Sequence, residues 1–270
     1  MKKFVIFKNP YKDNEGEITK KVVDTLKEYG AEVTMFDEYE GEFSEDVVTI
    51  VLGGDGTILT AIRDTGFMKG PVIGVNLGKL GFLTEVEPTS IEKALKNLID
   101  DDFTVEKRLL LEGRVGNEDY VRALNDVVLT RNGGLSIVGF NISVNGQELS
   151  DYLADGVIIA TPTGSTGYNL SAGGPIASPA SDLMILTPIC PHSLNHRSII
   201  LSCKDEIRID IPSSKDGRNQ EMELSFDGSN NRIVRTGDSI YIRCSDSKVS
   251  FAKIGKDSFL EILNKKMSEK

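Results

Sequence analysis

The stretch Val47-Val48-Thr49-Ile50-Val51-Leu52-Gly53-Gly54-Asp55-Gly56-Thr57-Ile58-Leu59-Thr60 decides how the first part of this chain is read. Val47 to Leu52 is short, rich in valine and isoleucine, and bounded by glycines, the pattern of a buried strand. Thr57 opens a helical pattern with Ile58, Leu59 and Ile62 on one side, and Gly66 is a plausible stop. Gly53 to Thr57 is therefore a strand-to-helix turn. Glycines let backbone N–H groups approach a ligand, and a helix start adds partial positive charge, so anions should bind there. Asp55 should repel them, and a carboxylate in that position implies a second duty.

Working outward, the first hundred residues alternate strand and helix. Phe4 to Phe7, Ala31 to Phe36 and Pro71 to Val75 read as further strands. Glu15 to Tyr29 reads as a helix with Ile18, Val22, Leu26 and Tyr29 on one face and Gly30 past its end. A second helix is expected from Thr89, where Thr89 and Glu92 form a capping-box pattern ahead of Leu95 and Leu98. Such alternation predicts a parallel, helix-covered sheet. After Asp100-Asp101-Asp102, an acidic run read as a solvated turn, the period changes. Ile207, Ile209 and Ile211 alternate with polar residues, as do Met222, Leu224 and Phe226, and Ile240, Ile242 and Cys244. Turn signals at Asn145-Gly146, Asp216-Gly217, Asp227-Gly228 and Thr236-Gly237-Asp238 punctuate them. From Asp257 to Met267 the pattern is helical again. The expected fold is an α/β domain over 1–104, a β-rich domain over 105–254, and a tail helix over 255–270 that returns to the first domain, with a ligand cleft between the domains.

The bulk numbers narrow the function. The net charge of -10 over 270 residues argues against a nucleic-acid or anionic-membrane binder, whose footprint is usually basic. The apolar run after Met1-Lys2-Lys3 ends at Lys8, too short for a signal peptide, and no stretch approaches membrane-spanning length. Cys190, Cys203 and Cys244 are odd in number and widely spaced, as in reduced cytoplasmic thiols. A phosphorylated ligand would need its charge met locally by N–H groups, a few basic side chains or a metal.

Two other segments could carry chemistry. Asp155-Gly156-Val157-Ile158-Ile159-Ala160 leads into Thr161-Pro162-Thr163-Gly164-Ser165-Thr166-Gly167-Tyr168-Asn169-Leu170-Ser171-Ala172-Gly173-Gly174-Pro175, a strand running into a loop dense with hydroxyls and glycines. These groups suit phosphate and ribose oxygens, and Tyr168 offers a stacking face. In isolation the same loop reads as a tight solvated turn capping a helix near Asn169. Asn125 and Asp126 interrupt the apolar run Ala123 to Leu129, either as outward residues on an exposed edge or as an amide and carboxylate aimed at ligand hydroxyls. His192 and His196 lie beside Arg197 with no carboxylate or third ligand at metal spacing, which favours a packing role.

Together these segments, with Ile185-Leu186-Thr187-Pro188-Ile189-Cys190-Pro191-His192-Ser193-Leu194, resemble the NAD kinases in order from about Phe4 to Ile254. The five-residue turn is shared more loosely with lipid kinases and phosphofructokinases; the long Thr/Ser/Gly segment is far more specific. The resemblance implies a cytoplasmic kinase that uses ATP or polyphosphate to make NADP from NAD, as a dimer or tetramer. It implies Asp55 as general base on the adenosine-ribose 2′-hydroxyl. It implies NAD contacts at Asp55, Gly56, Asn125, Asp126, Asp155, Thr163, Thr166, Gly167, Tyr168, Asn169, Leu170 and Ser171. The donor's phosphates would be held by backbone N–H groups of Gly53, Gly54, Gly56 and Thr57, with a divalent cation, Mg²⁺, carried by the nucleotide and no protein metal site assigned. Gly167 is often alanine in the family, Leu153 stands where many members have a basic residue, and Ser229 stands where many have glutamine, so the last two contacts are not carried over. A lipid kinase would be expected to show a basic or amphipathic membrane-facing patch. A dinucleotide-dependent dehydrogenase would want Gly-x-Gly-x-x-Gly after the first strand, where this chain has Lys8-Asn9-Pro10-Tyr11. A non-catalytic NAD-binding module would not need Asp55.

Overall fold

A computed structural model describes residues 2–79, 81–133, 137–192, 196–214, 217–255 and 258–268. Asp216 of the expected Asp216-Gly217 turn and Asp257, the expected start of the tail helix, lie outside the described residues, as do Ser193 and Leu194 of the family-like segment. The chain divides into two compact units, Met1–Lys107 with Val249–Lys270, and Arg108–Lys248.

The first unit is an α/β layer. Strands β1 (Lys3–Lys8), β2 (Glu32–Met35), β3 (Val47–Gly53) and β4 (Val72–Asn76) pair in parallel in the order β2-β1-β3-β4. Helices α1 (Glu17–Glu28), α2 (Asp55–Asp64) and α3 (Ile91–Ile99) connect or follow them. Every residue of β3 is buried, which explains its unalternating apolar run: a central parallel strand has no wet face. Val22 and Leu26 of α1 and Ile91, Leu95 and Leu98 of α3 share one core with Phe4, Ile6, Ile50, Leu52 and Ile73 of the sheet. The expected capping box at Thr89 is not formed. A 3₁₀ turn over Pro88–Ser90 takes its place, and Ser90 caps α3 without a side-chain bond. The tail returns to this unit. Phe251 pairs in parallel with Val72, and the Glu85 carboxylate accepts N–H bonds from Ile254 (3.0 Å) and Gly255 (2.7 Å) and pairs with Lys253. The last helix, Phe259–Ser268, sets Lys266 4.1 Å from the Phe82 ring; among the described residues no helix is long and apolar enough to cross a membrane.

The second unit is built of antiparallel strands. One sheet runs Ile199–Ser202, Leu183–Ile189, Gly156–Ala160, Asp126–Arg131, Glu221–Phe226, Ser229–Arg235 in spatial order. Another pairs Ser239–Lys253 with Glu206–Asp210, Val138–Val144 and Gln147–Ala154 in turn. Alternate residues of both, among them Ile207, Ile209, Met222, Leu224, Phe226, Ile240 and Ile242, meet in one apolar core with Phe140, Val157 and Ile159. The period-2 patterning places these side chains inward because successive strand residues face opposite sides.

Candidate active site

Three loops leave the carboxyl ends of β1, β3 and β4 side by side. The strands bring them there in register: Lys8 lies opposite Leu52, and Gly53 opposite Asn76. That edge of a parallel sheet is where α/β folds bind ligands. The β3 loop is Gly53 to Thr57. Gly54 is the N-cap of α2, and its carbonyl accepts the N–H groups of Thr57 (2.9 Å) and Ile58 (3.2 Å). The Thr57 hydroxyl accepts from Gly54 N–H (3.4 Å) and Asn9 Nδ2 (3.2 Å). Both polar groups of Thr57 thus hold the turn, whereas the N–H groups of Asp55 and Gly56 open the helix, where no i−4 carbonyl exists within it.

Asp55 is not aimed freely at solvent. Its Oδ2 accepts from Phe82 N–H (2.7 Å), and its Oδ1 accepts from Leu83 (3.1 Å) and Thr84 (3.3 Å), all on the loop after β4. A carboxylate offers about four acceptor positions, so about one remains. Gly81 makes this approach possible: a Cβ there would lie 1.9 Å from Asp55 Oδ1.

The second set lies within the β-rich unit. Asp126 stands opposite Ala160, so the Asn125–Asp126 corner meets the start of the hydroxyl-rich loop. Thr161 N–H donates to the Asn125 carbonyl (2.8 Å), the Thr161 hydroxyl to the Leu124 carbonyl (2.6 Å), and Gly164 N–H to the Thr161 hydroxyl (3.0 Å). The contact is so close that a Cβ on Gly164 would lie 2.0 Å from the Asn125 carbonyl oxygen. Gly167 also lies against the Asn125 amide, and Tyr168, which follows it, is 45% exposed and opens a short helix over Tyr168–Ser171. Asn125 Oδ1 is buried with no hydrogen-bond partner among the described residues. An unmet buried acceptor is costly, and a ligand donor would relieve it.

Asp227 holds this corner. Its carboxylate accepts N–H bonds from Leu124 (2.7 Å), Asn125 (2.7 Å) and Asp126 (3.1 Å). Burial pushes the Asp126 carboxyl up to about 7, with the neighbouring negative Asp227 adding to the effect. Near neutral pH Asp126 can therefore accept or donate a hydrogen bond.

Several family-matched residues serve the loop itself. The fully buried Asn169 side chain donates to the carbonyls of Ser165 and Pro175 (3.0 Å each) and accepts from the Thr187 hydroxyl (2.7 Å). Buried Thr163 accepts from Arg108 Nη1 (3.4 Å), and the Thr166 hydroxyl donates to the Thr163 carbonyl (3.2 Å). Leu170 and Ser171 are exposed. Asp155 stands elsewhere: it is at the opposite end of strand Gly156–Ala160 from Thr161, paired with Arg131 at 3.4 Å. His196 contacts Ser150 (3.2 Å) and lies 4.3 Å from the Tyr152 ring, a packing arrangement. Asn9, the Phe82–Thr84 amides, Arg108 and Asp227 were missed as site residues by reading motifs. The signal available was position: Asn9 and the Phe82–Thr84 segment follow strands of the parallel sheet at its carboxyl edge.

Comparison with known proteins identifies the family. Residues 46–103 match the ATP-NAD kinase N-terminal domain family, and residues 124–254 match the ATP-NAD kinase C-terminal domain family. The NAD kinase of Lachnospira eligens is 43% identical, with 99% of this chain and 100% of that protein covered. The NAD kinase of Lachnoclostridium phytofermentans is 41% identical, with both chains covered in full. Among solved structures, yeast NADH kinase complexed with NADH superposes with a TM-score of 0.82 at 27% identity, covering 99% of this chain and 87% of that one. An Archaeoglobus fulgidus NAD kinase in complex with ATP gives 0.81 at 26% identity, covering both chains in full. The chain belongs to the NAD kinase family.

Proposed function

We propose that this kinase transfers the terminal phosphoryl group of ATP, or of polyphosphate, to the 2′-hydroxyl of the adenosine ribose of NAD, with Asp55 receiving the hydroxyl proton. The observation that carries the assignment is the Asp55 carboxylate at the opening of α2, held in place by three N–H donors with one acceptor position left. Phosphoryl transfer asks mainly for positioning, charge neutralisation and an oriented nucleophile. A carboxylate already fixed beside helix-opening N–H groups meets the first and third demands. The N–H groups of Asp55 and Gly56, at the opening of α2, bind the donor's phosphates. Asn125, Asp126 and Tyr168 hold adenosine: the Asn125 oxygen takes a donor from the ligand, Asp126 bonds a hydroxyl, and the exposed Tyr168 ring stacks on the base.

Among the described residues no cluster of three or more histidine, cysteine, aspartate or glutamate side chains is placed to hold a metal ion, and Asp55 has most of its acceptor positions filled. A divalent cation would enter with the nucleotide and neutralise its phosphates there. We place the enzyme in the cytoplasm, in keeping with three free cysteines, as a homo-oligomer.

The test is direct. Purified protein incubated with NAD, ATP and Mg²⁺ should yield NADP, and the product should carry its new phosphate on the adenosine ribose by phosphorus NMR. Absence of NADP with every phosphoryl donor tried would sink the assignment.

A further inference from the structure

The segment Lys8-Asn9-Pro10-Tyr11-Lys12 enters the sequence reading only as evidence against a dehydrogenase. The structure gives it a different meaning. Asn9 Nδ2 donates to the Thr57 hydroxyl, and Asn9 N–H donates to the Leu52 carbonyl (2.9 Å), so the loop after β1 is tied to the glycine turn. On its other side, Asp13 is buried and accepts N–H bonds from Ile18 (3.3 Å) and Thr19 (2.8 Å) at the start of α1. Lys12 N–H closes the turn on the Asn9 carbonyl (3.1 Å). The Lys12 backbone is therefore pinned from both sides. Its ammonium rests over two glycines of the neighbouring loops. A Cβ on Gly54 would lie 3.0 Å from Lys12 Nζ, and a Cβ on Gly78 would lie 2.6 Å from it. Lys12 has no carboxylate partner among the described residues.

We infer that Lys12 is a donor-binding residue of this kinase, its ammonium gripping the phosphate chain of ATP or polyphosphate above the Gly53–Gly56 turn. The chain carries a net charge of -10, and one of its carboxylates, Asp55, stands beside the helix opening. A donor with several negative charges therefore needs a fixed cation at this edge. An ammonium above the N-cap glycine supplies it, and two residues without side chains leave it room. The inference rests on the proposed kinase function and names a residue for its donor site. It assigns Lys12 to the donor and not to the pyrophosphate of NAD because its ammonium lies over Gly54, the N-cap residue whose helix-opening N–H groups suit the donor's phosphates.

The experiment compares wild type, Lys12→Met and Lys12→Arg in steady-state kinetics, and titrates each with inorganic triphosphate in a calorimeter in the absence of NAD. Lys12→Met should raise the KM for ATP and weaken triphosphate binding by about 10- to 100-fold, the usual cost of a lost charged hydrogen bond. The KM for NAD should stay within about twofold, and Lys12→Arg should recover most of the loss. Thermal unfolding should show all three folded alike, since the Lys12 side chain holds no structural partner among the described residues. Unchanged ATP KM and triphosphate affinity in a folded Lys12→Met protein would overturn the inference. So would an equal rise in the KM for NAD, which would place the ammonium on the NAD phosphates. If wild type makes no NADP, the kinase reading fails on its own. Lys12-dependent triphosphate binding would in that case still support the phosphate site, and Lys12-independent binding would remove it.

Discussion

At the scale of single residues, the structure changes what a substitution of Asp55 tests. By shape alone, asparagine replaces aspartate without disturbance. Here the carboxylate accepts on both oxygens, and an amide can accept on only one. Asp55→Asn therefore sets an NH₂ group against one or more of the loop N–H donors at Phe82, Leu83 and Thr84. The variant should lose about 1–3 kcal/mol of stability as well as the base. As general base, its removal should lower turnover by about 10²–10⁴-fold in protein that still binds NAD. Turnover above about a tenth of normal, measured below the unfolding temperature of the variant, would defeat the assignment. Asp126 makes a pH prediction. Its pKa is raised from 3.8 to about 7 in the folded protein, so folding favours the protonated form. The corresponding stability is fully present below about pH 4 and is lost as pH rises through about 7, a change of up to about 4 kcal/mol. Urea unfolding of wild type between pH 4 and 8 should show that decline, and Asp126→Asn should flatten it; parallel slopes for the two proteins would refute the claim.

At the scale of elements, the loop after β4 works as a cradle for the opening residue of α2. The strand pattern of Pro71 to Val75 does not reveal this, because the bond partners are more than twenty-five residues apart in sequence. The need for glycine at 81 is steric: the position is not among those with positive φ, but its missing Cβ leaves room for Asp55 Oδ1. Gly81→Ala should push Asp55 aside and cost about 10²-fold in kcat, since a shift of about 1 Å in a catalytic group has that effect. The KM for NAD should change little. Rapid-mix kinetics and a thermal melt on the same protein check it, and a kcat within about threefold of normal would show that the cradle is not needed for turnover. The expected capping box at Thr89 failed for a related reason. Pro88 fixes a 3₁₀ turn over Pro88–Ser90 and delays the helix to Ile91, so Thr89 is never in the capping position.

At the scale of the whole molecule, the polar groups suited to donor and acceptor are divided between two units. Asp55, its cradle and Lys12 sit in Met1–Lys107 with Val249–Lys270, and Asn125, Asp126, Asp227 and Tyr168 sit in Arg108–Lys248. Loss of a contact in the second unit should therefore weaken NAD far more than ATP. Asp126→Ala is expected to reduce NAD affinity by about tenfold or more, the cost of one buried hydrogen bond of partly ionic character, and to leave ATP affinity within about twofold. Separate calorimetric titrations with the two nucleotides measure this, and equal losses would make the corner a structural element only.

The amino-acid sequence by itself determined the α/β and antiparallel layers, because period 3.6 and period 2 are local properties that burial then enforces. It also determined the family, through the Gly53–Thr57 turn and the Thr161–Pro175 segment, whose residue types are dictated by close backbone approach. Tertiary structure alone decided which groups those motifs leave for a ligand. Asn169, Thr163 and Thr57 resemble ligand contacts in sequence, but their side chains bond within the protein, Asn169 and Thr57 to their own loops and Thr163 to Arg108. Asp155 is adjacent to the same motif in sequence and is carried away from Asn125 by the length of one strand. Lys12 and Gly81 carry no recognisable motif, and Asp227 reads in sequence only as part of a turn. Their roles arise from parallel strands that align three loop ends, and from the pairing of Glu221–Phe226 with Asp126–Arg131, which brings residue 227 to residue 125. Hydrogen bonding is satisfied over a few ångströms of space, and sequence separation sets no limit on it.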